Sequence, residues 1–230
     1  MKISALVIVT LLLCTAVQAQ KSDAVPVDLA DEPHHKVLFE NSQVRVFRLE
    51  LQPGEATAPH RHKSFYAYLS LRSITIANEV RGRSPVVVTV EGGELHTSKG
   101  GFTLAERNKS SEPAKLLVIE SLKSDGAGFS TPIGGFRFHD AAFGELFDSP
   151  AMRGYSMTIA AGGHTERHDE NYDRLLIAVS DLKLRDDFAG QPSSEFQMKA
   201  GEVKWFPRGV SHATTNAGIS PATFITLEFE

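Results

Sequence analysis

The chain has 230 residues, of which 41% are hydrophobic and 23% are charged, a composition typical of a globular protein. Its 24 basic and 28 acidic residues give a formal net charge of -4, and the only short basic cluster is Arg81-Gly82-Arg83. A nucleic-acid-binding surface requires a clustered basic face, so we expect no nucleic-acid partner. This length suits one large all-β unit or two small domains.

Residues 1–19 have the pattern of a secretory signal peptide, with Lys2, the apolar run ISALVIVTLLLC and Ala19 before the expected cleavage point. The apolar run is shorter than the roughly 20 residues of a spanning helix, which argues against a retained membrane anchor. We therefore expect a periplasmic or secreted protein that has no membrane association after cleavage. Cleavage would also remove Cys14, the single cysteine. Residues 20–32 are predicted to form a polar leader.

An offset of 108 residues aligns the chain with itself without a gap. The matched pairs are mainly glycines, charged residues and motif residues: Arg45 and Arg153, Gly54 and Gly162, His60 and His168, Gly93 and Gly201, Gly101 and Gly209, Asn108 and Asn216, Glu120 and Glu228. Such a series indicates two copies of one domain. We place them at 33–122 and 137–230, joined by a linker at 123–136 that is rich in Gly, Ser and Pro.

The apolar residues of both copies recur with a period of two, which is typical of strands. Copy one contains SITIAN, PVVVTV and AKLLVIES, and copy two contains DLKLRD, EFQMKA and ATFITLEF. Gly, Pro, Asn and Asp separate these segments, and no amphipathic helix of useful length occurs. Many short strands at regular spacing predict an all-β sandwich or barrel in each copy.

Ligand-type residues occur at matching points of the two copies. His60 and His62 are two residues apart on a predicted strand, so they share a face. Copy two has His168 and Glu170 at the corresponding positions, and His212 follows the turn Pro207-Arg208-Gly209 by three residues.

These motifs resemble those of the cupin superfamily. The second cupin motif is matched in full by Gly201, Pro207, Gly209, His212 and Asn216. The resemblance covers both copies and implies two tandem double-stranded β-helix (jelly-roll) barrels, a bicupin. It also implies a metal site at the barrel mouth.

The resemblance places the stronger site in the second barrel, where His168, Glu170 and His212 are the expected metal ligands. Two imidazoles and one carboxylate suit a divalent Fe, Mn, Ni or Zn ion. Arg174 stands where the family has a Glu. It could pair with Glu170 and remove the metal site, or face the cavity and bind a substrate carboxylate.

The first barrel is expected to carry a weaker, degenerate site made of His60, His62 and Tyr66. Here Leu104 replaces the motif His, and Tyr66 occupies the Glu position. The alternative is a relic in which the two histidines only form hydrogen bonds. Four other histidines are expected to be exposed: His34 and His35 at the end of the leader, His96 on a surface strand and His164 in a loop.

Two functions are compatible with these features. The first is a metal-dependent, oxygenase-type enzyme acting on a small organic acid or phenolic compound, in which Arg174 orients an anionic substrate. The second is a non-catalytic cupin that binds a small molecule without a metal. The three remaining ligands favour the first function, whereas Arg174 and the degenerate first copy favour the second. We expect a monomer or homodimer in which the two barrels pack through a sheet face.

Overall fold

The computed structural model describes residues 25–123 and 128–230. Within these ranges almost all regular structure is β-strand, and the one helical element is the short 3-10 turn Leu29–Asp31. The prediction of an all-β protein is confirmed. The predicted signal peptide and the first residues of the leader lie outside the described residues. Across the described part of the chain, no helix combines the length and apolar character needed to cross a membrane.

The first half of the described chain contains ten strands: β1 (Val27–Asp28), β2 (His35–Glu40), β3 (Val44–Leu51), β4 (His60–His62), β5 (Tyr66–Ser70), β6 (Ile74–Val80), β7 (Val86–Val90), β8 (Leu95–Ser98), β9 (Phe102–Asn108) and β10 (Ala114–Ser121). They form two five-stranded sheets, in the orders β1-β4-β9-β6-β7 and β2-β3-β10-β5-β8. Apolar side chains from both sheets, among them Leu49, Ile76 and Leu116, form the interior of this first barrel.

The second half contains β11 (Phe138–Asp148), β12 (Arg153–Thr165), β13 (His168–Asp169), β14 (Asp173–Ala178), β15 (Leu182–Phe188), β16 (Ser194–Met198), β17 (Val203–Phe206), β18 (Ser211–Asn216) and β19 (Ala222–Phe229). The pairing β11-β12-β19-β14-β17 corresponds to β2-β3-β10-β5-β8 of the first half. The long strand β12 also reaches β18, where His164 pairs with Thr215. All nine strands therefore belong to one continuous sheet that closes the second barrel.

The motif asparagines have a structural role. The side-chain amide of Asn216 donates hydrogen bonds to the backbone oxygens of Ile159 and Ser220, both at 2.8 Å. Asn108 makes the corresponding pair of bonds in the first barrel. These bonds satisfy buried carbonyl groups, which explains why the asparagine is present in a copy that has lost the motif histidine.

The described parts of the predicted leader and linker both pack against the barrels. Val27 pairs with His60, so β1 adds a parallel strand to the edge of the first barrel. Glu32 is only 1% exposed. In the linker, the ring of Phe136 stacks on His168 at a centroid distance of 4.3 Å. Both segments therefore contribute to the surroundings of the candidate sites.

The two barrels share an apolar core. It combines residues of β3, β5 and β10 with residues of the second half: Val44, Val46, Ala67, Leu69, Leu117 and Ile119 from the first, and Met152, Leu175, Ile177, Ile225, Leu227 and Phe229 from the second. Trp205 of the second barrel stacks on Phe39 of the first, with ring centroids 5.8 Å apart. The barrels thus pack through a sheet face, as expected from the sequence.

The contact between the barrels has an approximate two-fold symmetry. A Cβ atom added to Gly93 would lie 3.3 Å from Cγ1 of Val179, and one added to Gly201 would lie 3.0 Å from Cδ1 of Leu71. Each residue of the first contact matches one of the second through the 108-residue offset. Both glycines also have positive φ, so larger residues would be strained as well as crowded.

Candidate metal centre

The second barrel brings the three predicted ligands together. His168 on β13 is the cross-strand partner of His212 on β18, and Glu170 directly follows β13. Nε2 of His168 lies 3.1 Å from Oε1 of Glu170. Nε2 of His212 lies 3.0 Å from the same oxygen. The arrangement gives two imidazole nitrogens and one carboxylate at a single point in the barrel, and their atoms lie within 4.8 Å of one another.

The other nitrogen of each imidazole faces an acceptor. Nδ1 of His168 donates to the backbone oxygen of Glu166 at 2.8 Å. Nδ1 of His212 lies 3.2 Å from Oδ1 of Asp186. Without a metal, each Nε2 hydrogen-bonds to the Glu170 carboxylate. Loss of that proton, with an acceptor near Nδ1, leaves Nε2 with the lone pair that a metal binds, as is usual for metal-binding histidines. The residues therefore fit a divalent transition metal by donor type, by convergence and by the orientation of both rings.

The ionisation of the central groups agrees with this arrangement. Burial alone would raise the pKa of Glu170, but the hydrogen bonds with His168 and His212, together with the charge of Arg174, lower it to about 2. Burial would lower the pKa of His212, but its contacts with Asp186 and Glu170 outweigh that effect and raise it. Glu170 is therefore a carboxylate at neutral pH, which is the form that binds a cation.

Arg174 on β14 competes for the same carboxylate. Its Nη1 donates to Oε1 of Glu170, and the guanidinium carbon lies 5.6 Å from the centroid of the Phe206 ring. Its Nε and Nη2 atoms are buried and have no hydrogen-bond partner among the described residues. The sequence left two roles open for Arg174, pairing with Glu170 or binding a substrate carboxylate. The structure shows the pair with Glu170, and two donors of the guanidinium stay available for another anion. A cation at this point requires Arg174 to move away, since two positive charges repel.

Space around the second-barrel site is divided between a small interior and a larger opening. The internal cavity is about 30 Å³, which is room for about one water molecule or ion. An outer cavity of about 460 Å³ also has His168 and Glu170 in its wall, beside Arg137 and Arg167. A substrate can therefore reach the candidate ligands from the outer cavity, whereas the interior can hold only an ion or water.

The first barrel also brings its predicted residues together. Nε2 of His60 lies 3.0 Å from Nε2 of His62, and the Tyr66 ring packs on His62 with centroids 4.1 Å apart. Burial raises the pKa of Tyr66, which disfavours the phenolate that a metal would need. Burial also lowers the pKa of His62 to about 3, so this imidazole is neutral. Nδ1 of His60 donates to the backbone oxygen of Ala58 at 2.9 Å, which repeats the contact of His168 with Glu166.

The side chains of His34 and His96, which were expected to be exposed, are only 27% and 34% exposed. For His35 the same expectation was wrong. Its side chain is fully buried, because β2 begins at His35 and turns the ring inward against Phe47 and His60. Its Nδ1 lies 2.8 Å from Oε2 of Glu32. By contrast, His164 is exposed, although it lies on β12 and not in a loop.

Two acidic residues near the sites were missed by the sequence analysis. Asp186 is 3% exposed, and Glu106 faces the histidines of the first barrel. The sequence contained a signal for both, since each acid lies two residues after an apolar residue and so shares its face of the strand. Asp186 follows Leu182 and Leu184 in this way, and Glu106 follows Leu104. An acid on the inward face of a strand is unusual and indicates a buried partner.

Comparison with known proteins identifies the fold. No protein-family model matches the sequence, and no curated protein is significantly similar to it. Among solved structures, AerE from Microcystis aeruginosa is 14% identical with a TM-score of 0.59, and the match covers 86% of this chain and 98% of that one. A cupin 2 conserved barrel domain protein from Leptotrichia buccalis is 14% identical with a TM-score of 0.57, over 85% and 88% of the two chains. A formate complex of oxalate decarboxylase from Lactobacillus farciminis is 13% identical with a TM-score of 0.61, over 83% and 78%.

These similarities show that the chain has the cupin fold. The resemblance predicted from the motifs is therefore confirmed at the level of the fold. The sequence identities are too low to carry an activity from these proteins to this one.

Proposed function

We propose that the protein is a divalent-metal-dependent enzyme that acts on a small organic acid or phenolic compound in its second barrel. The observation that carries the proposal is the convergence of His168 Nε2, His212 Nε2 and Glu170 Oε1. Structures with the same fold add support, since one is a formate complex of an oxalate decarboxylase. Another is the oxalate decarboxylase of Bacillus subtilis, which contains Mn(II) centres.

In this proposal His168, Glu170 and His212 hold the ion, and the outer cavity admits the substrate. When bound, a divalent ion in a two-histidine, one-carboxylate set supplies Lewis acidity and the capacity to activate oxygen, which corresponds to an oxygenase-type reaction. The outer cavity carries charges of both signs. Arg137 and Arg167 could contact an anionic substrate, and Glu166 and Asp169 lie in the same wall.

Arg174 would orient the substrate and link its binding to the metal. Its two donors without a partner suit the two oxygens of a carboxylate. Arg174 lines the internal cavity, which is too small for a substrate, so the guanidinium would have to swing toward the outer cavity to meet a substrate carboxylate. That movement would take it away from Glu170, whose oxygen is then free for the cation. Substrate and metal should therefore bind cooperatively, because each alone must break the Arg174–Glu170 pair, and once one has done so the other binds without that free-energy cost.

We also infer that the protein is exported and acts in the periplasm or outside the cell. Support comes from the sequence of residues 1–19 alone. Expression in a bacterial host, followed by fractionation and mass determination, tests this inference. A mature form that begins at Gln20 in the periplasm or medium is expected, and full-length protein in the cytoplasm would contradict it. Light scattering of the same sample distinguishes a monomer from a homodimer.

The central experiment combines metal analysis with a search for turnover. The full chain is purified without chelators and reconstituted with Fe, Mn, Ni or Zn. It is then incubated with oxalate, other small organic acids and phenolic compounds. Oxygen consumption and product masses are recorded for the wild type, Glu170→Gln, His212→Gln and the control His164→Gln. We expect metal in the second barrel and turnover to be lost together in the first two variants and retained in the control.

The alternative function, a small-molecule-binding cupin without a metal, predicts a different result. The wild type would then bind none of the four metals in the second barrel, and Glu170→Gln would not change the metal content. A ligand would still bind, and its affinity would depend on the Glu170–Arg174 pair. That outcome would reject the enzyme hypothesis.

A further inference from the structure

A second group of ligand atoms converges in the first barrel and shares His60 with the predicted pair of motif histidines. Nε2 of His60 lies 3.5 Å from Oε2 of Glu106, and Nε2 of His35 lies 4.0 Å from the same oxygen. All three atoms lie within 4.8 Å of one another. We propose that His35, His60 and Glu106 form a second divalent-metal site. Only His60 belongs to the cupin motifs in the sequence.

The strongest support is that two of these atoms are buried without a partner. Within the described residues, neither Nε2 of His35 nor Oε2 of Glu106 has a hydrogen-bond partner. The side chains of His35 and His60 are 0% exposed, and that of Glu106 is 13% exposed. A buried polar atom without a partner costs free energy. A cation between these atoms would satisfy the nitrogen lone pair and the carboxylate together.

The rings are held in the orientation that metal binding requires. Nδ1 of His35 lies 2.8 Å from Oε2 of Glu32. The other oxygen of Glu32 accepts a hydrogen bond from the backbone nitrogen of Ala58 at 3.0 Å. Nδ1 of His60 donates to the backbone oxygen of Ala58. Acceptors at both Nδ1 atoms leave a lone pair on each Nε2, and a carboxylate behind a histidine is a common support for a bound metal. Nε2 of His60 also lies 3.0 Å from Nε2 of His62, a contact that a cation beside Glu106 would replace.

The first-barrel set is a rearranged version of the second-barrel set. Each contains two imidazoles and one carboxylate, and His60 corresponds to His168 through the 108-residue offset. The carboxylate differs in position: it follows β13 in the second barrel but comes from β9 in the first. The second imidazole differs as well, since His35 replaces His212. The same donor chemistry is therefore rebuilt from other strands after Leu104 has replaced the motif histidine.

The site also borders a cavity large enough for a small molecule. The cavity of about 260 Å³ has Glu106, Tyr66, Tyr68 and Phe102 in its wall. The internal cavity of the second barrel is about 30 Å³. A metal bound at Glu106 would thus have an open side toward an aromatic and largely apolar chamber. A neutral or aromatic ligand suits this chamber, whereas the second barrel offers an anion the two donors of Arg174.

Titration of the full chain with Co(II) and Zn(II) tests the proposal. The variant Glu170→Gln removes a ligand of the second-barrel site and serves as the background. In this background we expect about one equivalent of metal per chain, with the visible absorption of Co(II) bound by nitrogen and oxygen ligands. Adding Glu106→Gln, or separately His35→Gln, should abolish that binding. Adding His96→Gln, which changes a histidine outside the set, should leave it unchanged.

Two results would overturn the proposal: no metal bound by folded Glu170→Gln, or metal that is retained after both Glu106→Gln and His35→Gln. Circular dichroism and thermal melts establish that each variant is folded, and the titration of Glu170→Gln itself needs no change in the first barrel. The outcome is separate from that of the proposed enzyme. Glu106→Gln in an otherwise wild-type chain reports on the first barrel, and Glu170→Gln reports on the second.

Discussion

Oδ1 of Asp186 lies 3.2 Å from Nδ1 of His212. The same oxygen accepts a hydrogen bond of 2.6 Å from the hydroxyl group of Thr214. The imidazole of His212 therefore lies between two carboxylates, with Glu170 at Nε2. Asp186 contributes to the raised pKa of His212, and it is placed to orient the ring as a group behind a metal ligand does.

Substitution of Asp186 should weaken metal binding in the second barrel without removing a ligand. We expect Asp186→Asn to lower the affinity about 10- to 100-fold. Competitive titration with a chromophoric chelator measures this change. The neighbouring variant Asp187→Asn is a matched control, because Asp187 pairs with Arg185 and Ser193 instead. Equal effects of the two substitutions would show that Asp186 does not support the site.

Removal of the Arg174 charge should strengthen metal binding. In Arg174→Gln the carboxylate of Glu170 loses its cationic partner, so a metal no longer displaces a guanidinium. We expect an affinity increase of about tenfold or more, in keeping with the loss of a close charge repulsion. Arg208→Gln is the control, since Arg208 is half-exposed and lies 3.8 Å from Asp173. Weaker metal binding in Arg174→Gln would mean that Arg174 supports the site instead of competing with the metal.

The metal-free second barrel should have a characteristic dependence of stability on pH. The pKa of Glu170 is lowered from 4.5 to about 2. Its stabilisation is therefore complete above about pH 4.5 and is lost as the pH falls toward 2, with a maximum of about 3 kcal/mol. The raised pKa of His212 acts in the opposite direction. The stabilisation by protonated His212 is complete below pH 6.5 and is lost as the pH rises through the raised pKa of His212.

Urea denaturation in the presence of a chelator measures this dependence. The difference in unfolding free energy between wild type and Glu170→Gln should be largest between about pH 4.5 and 6.5. It should shrink at lower pH as Glu170 is protonated. The control Glu166→Gln changes an exposed side chain nearby and should give a small difference at every pH. A wild-type advantage that increases below pH 4 would contradict the assigned direction for Glu170.

The shared core predicts that the two barrels stabilise each other. Leu175 is fully buried in the cluster that joins them. We expect Leu175→Ala to lower the unfolding free energy by about 2–5 kcal/mol. The fluorescence of Trp205, the only tryptophan in the chain, reports on this joint because the ring stacks on Phe39.

The control Leu146→Ala alters a side chain that is 40% exposed. It should cost less than about 1 kcal/mol. The Trp205 transition should coincide with the loss of β-structure recorded by circular dichroism, since both barrels depend on the same core. Two separate transitions would show that the barrels unfold independently.

The architecture could be predicted because the repeat carries strong local signals. β10 and β19 begin at Ala114 and Ala222, and β6 and β15 begin at Ile74 and Leu182, each pair 108 residues apart. Alternating apolar residues, positive-φ glycines and the motif asparagines act within single strands and turns. These features depend only on residues that are close in the sequence, so they can be predicted from the sequence.

The complete set of site residues could not be predicted in the same way. His35, Glu106 and Asp186 become neighbours of the motif histidines only through strand register and packing between distant segments. The pairing of Arg174 with Glu170 depends on the path of a long side chain, which a motif position does not determine. The one available signal was the position of Glu106 and Asp186 on the inward face of a strand. It indicates that these acids are buried but does not identify the residues that they contact.

The approximate symmetry of the Gly93–Val179 and Gly201–Leu71 contacts has a consequence for how the protein could change during evolution. In a dimer of identical chains, every substitution appears at both sites at once. A chain that carries both halves is free of that constraint. A histidine can be lost in one half while the other half keeps it, and a carboxylate can move from one strand to another in a single copy. Two halves in one chain can thus hold two chemically different pockets at corresponding positions.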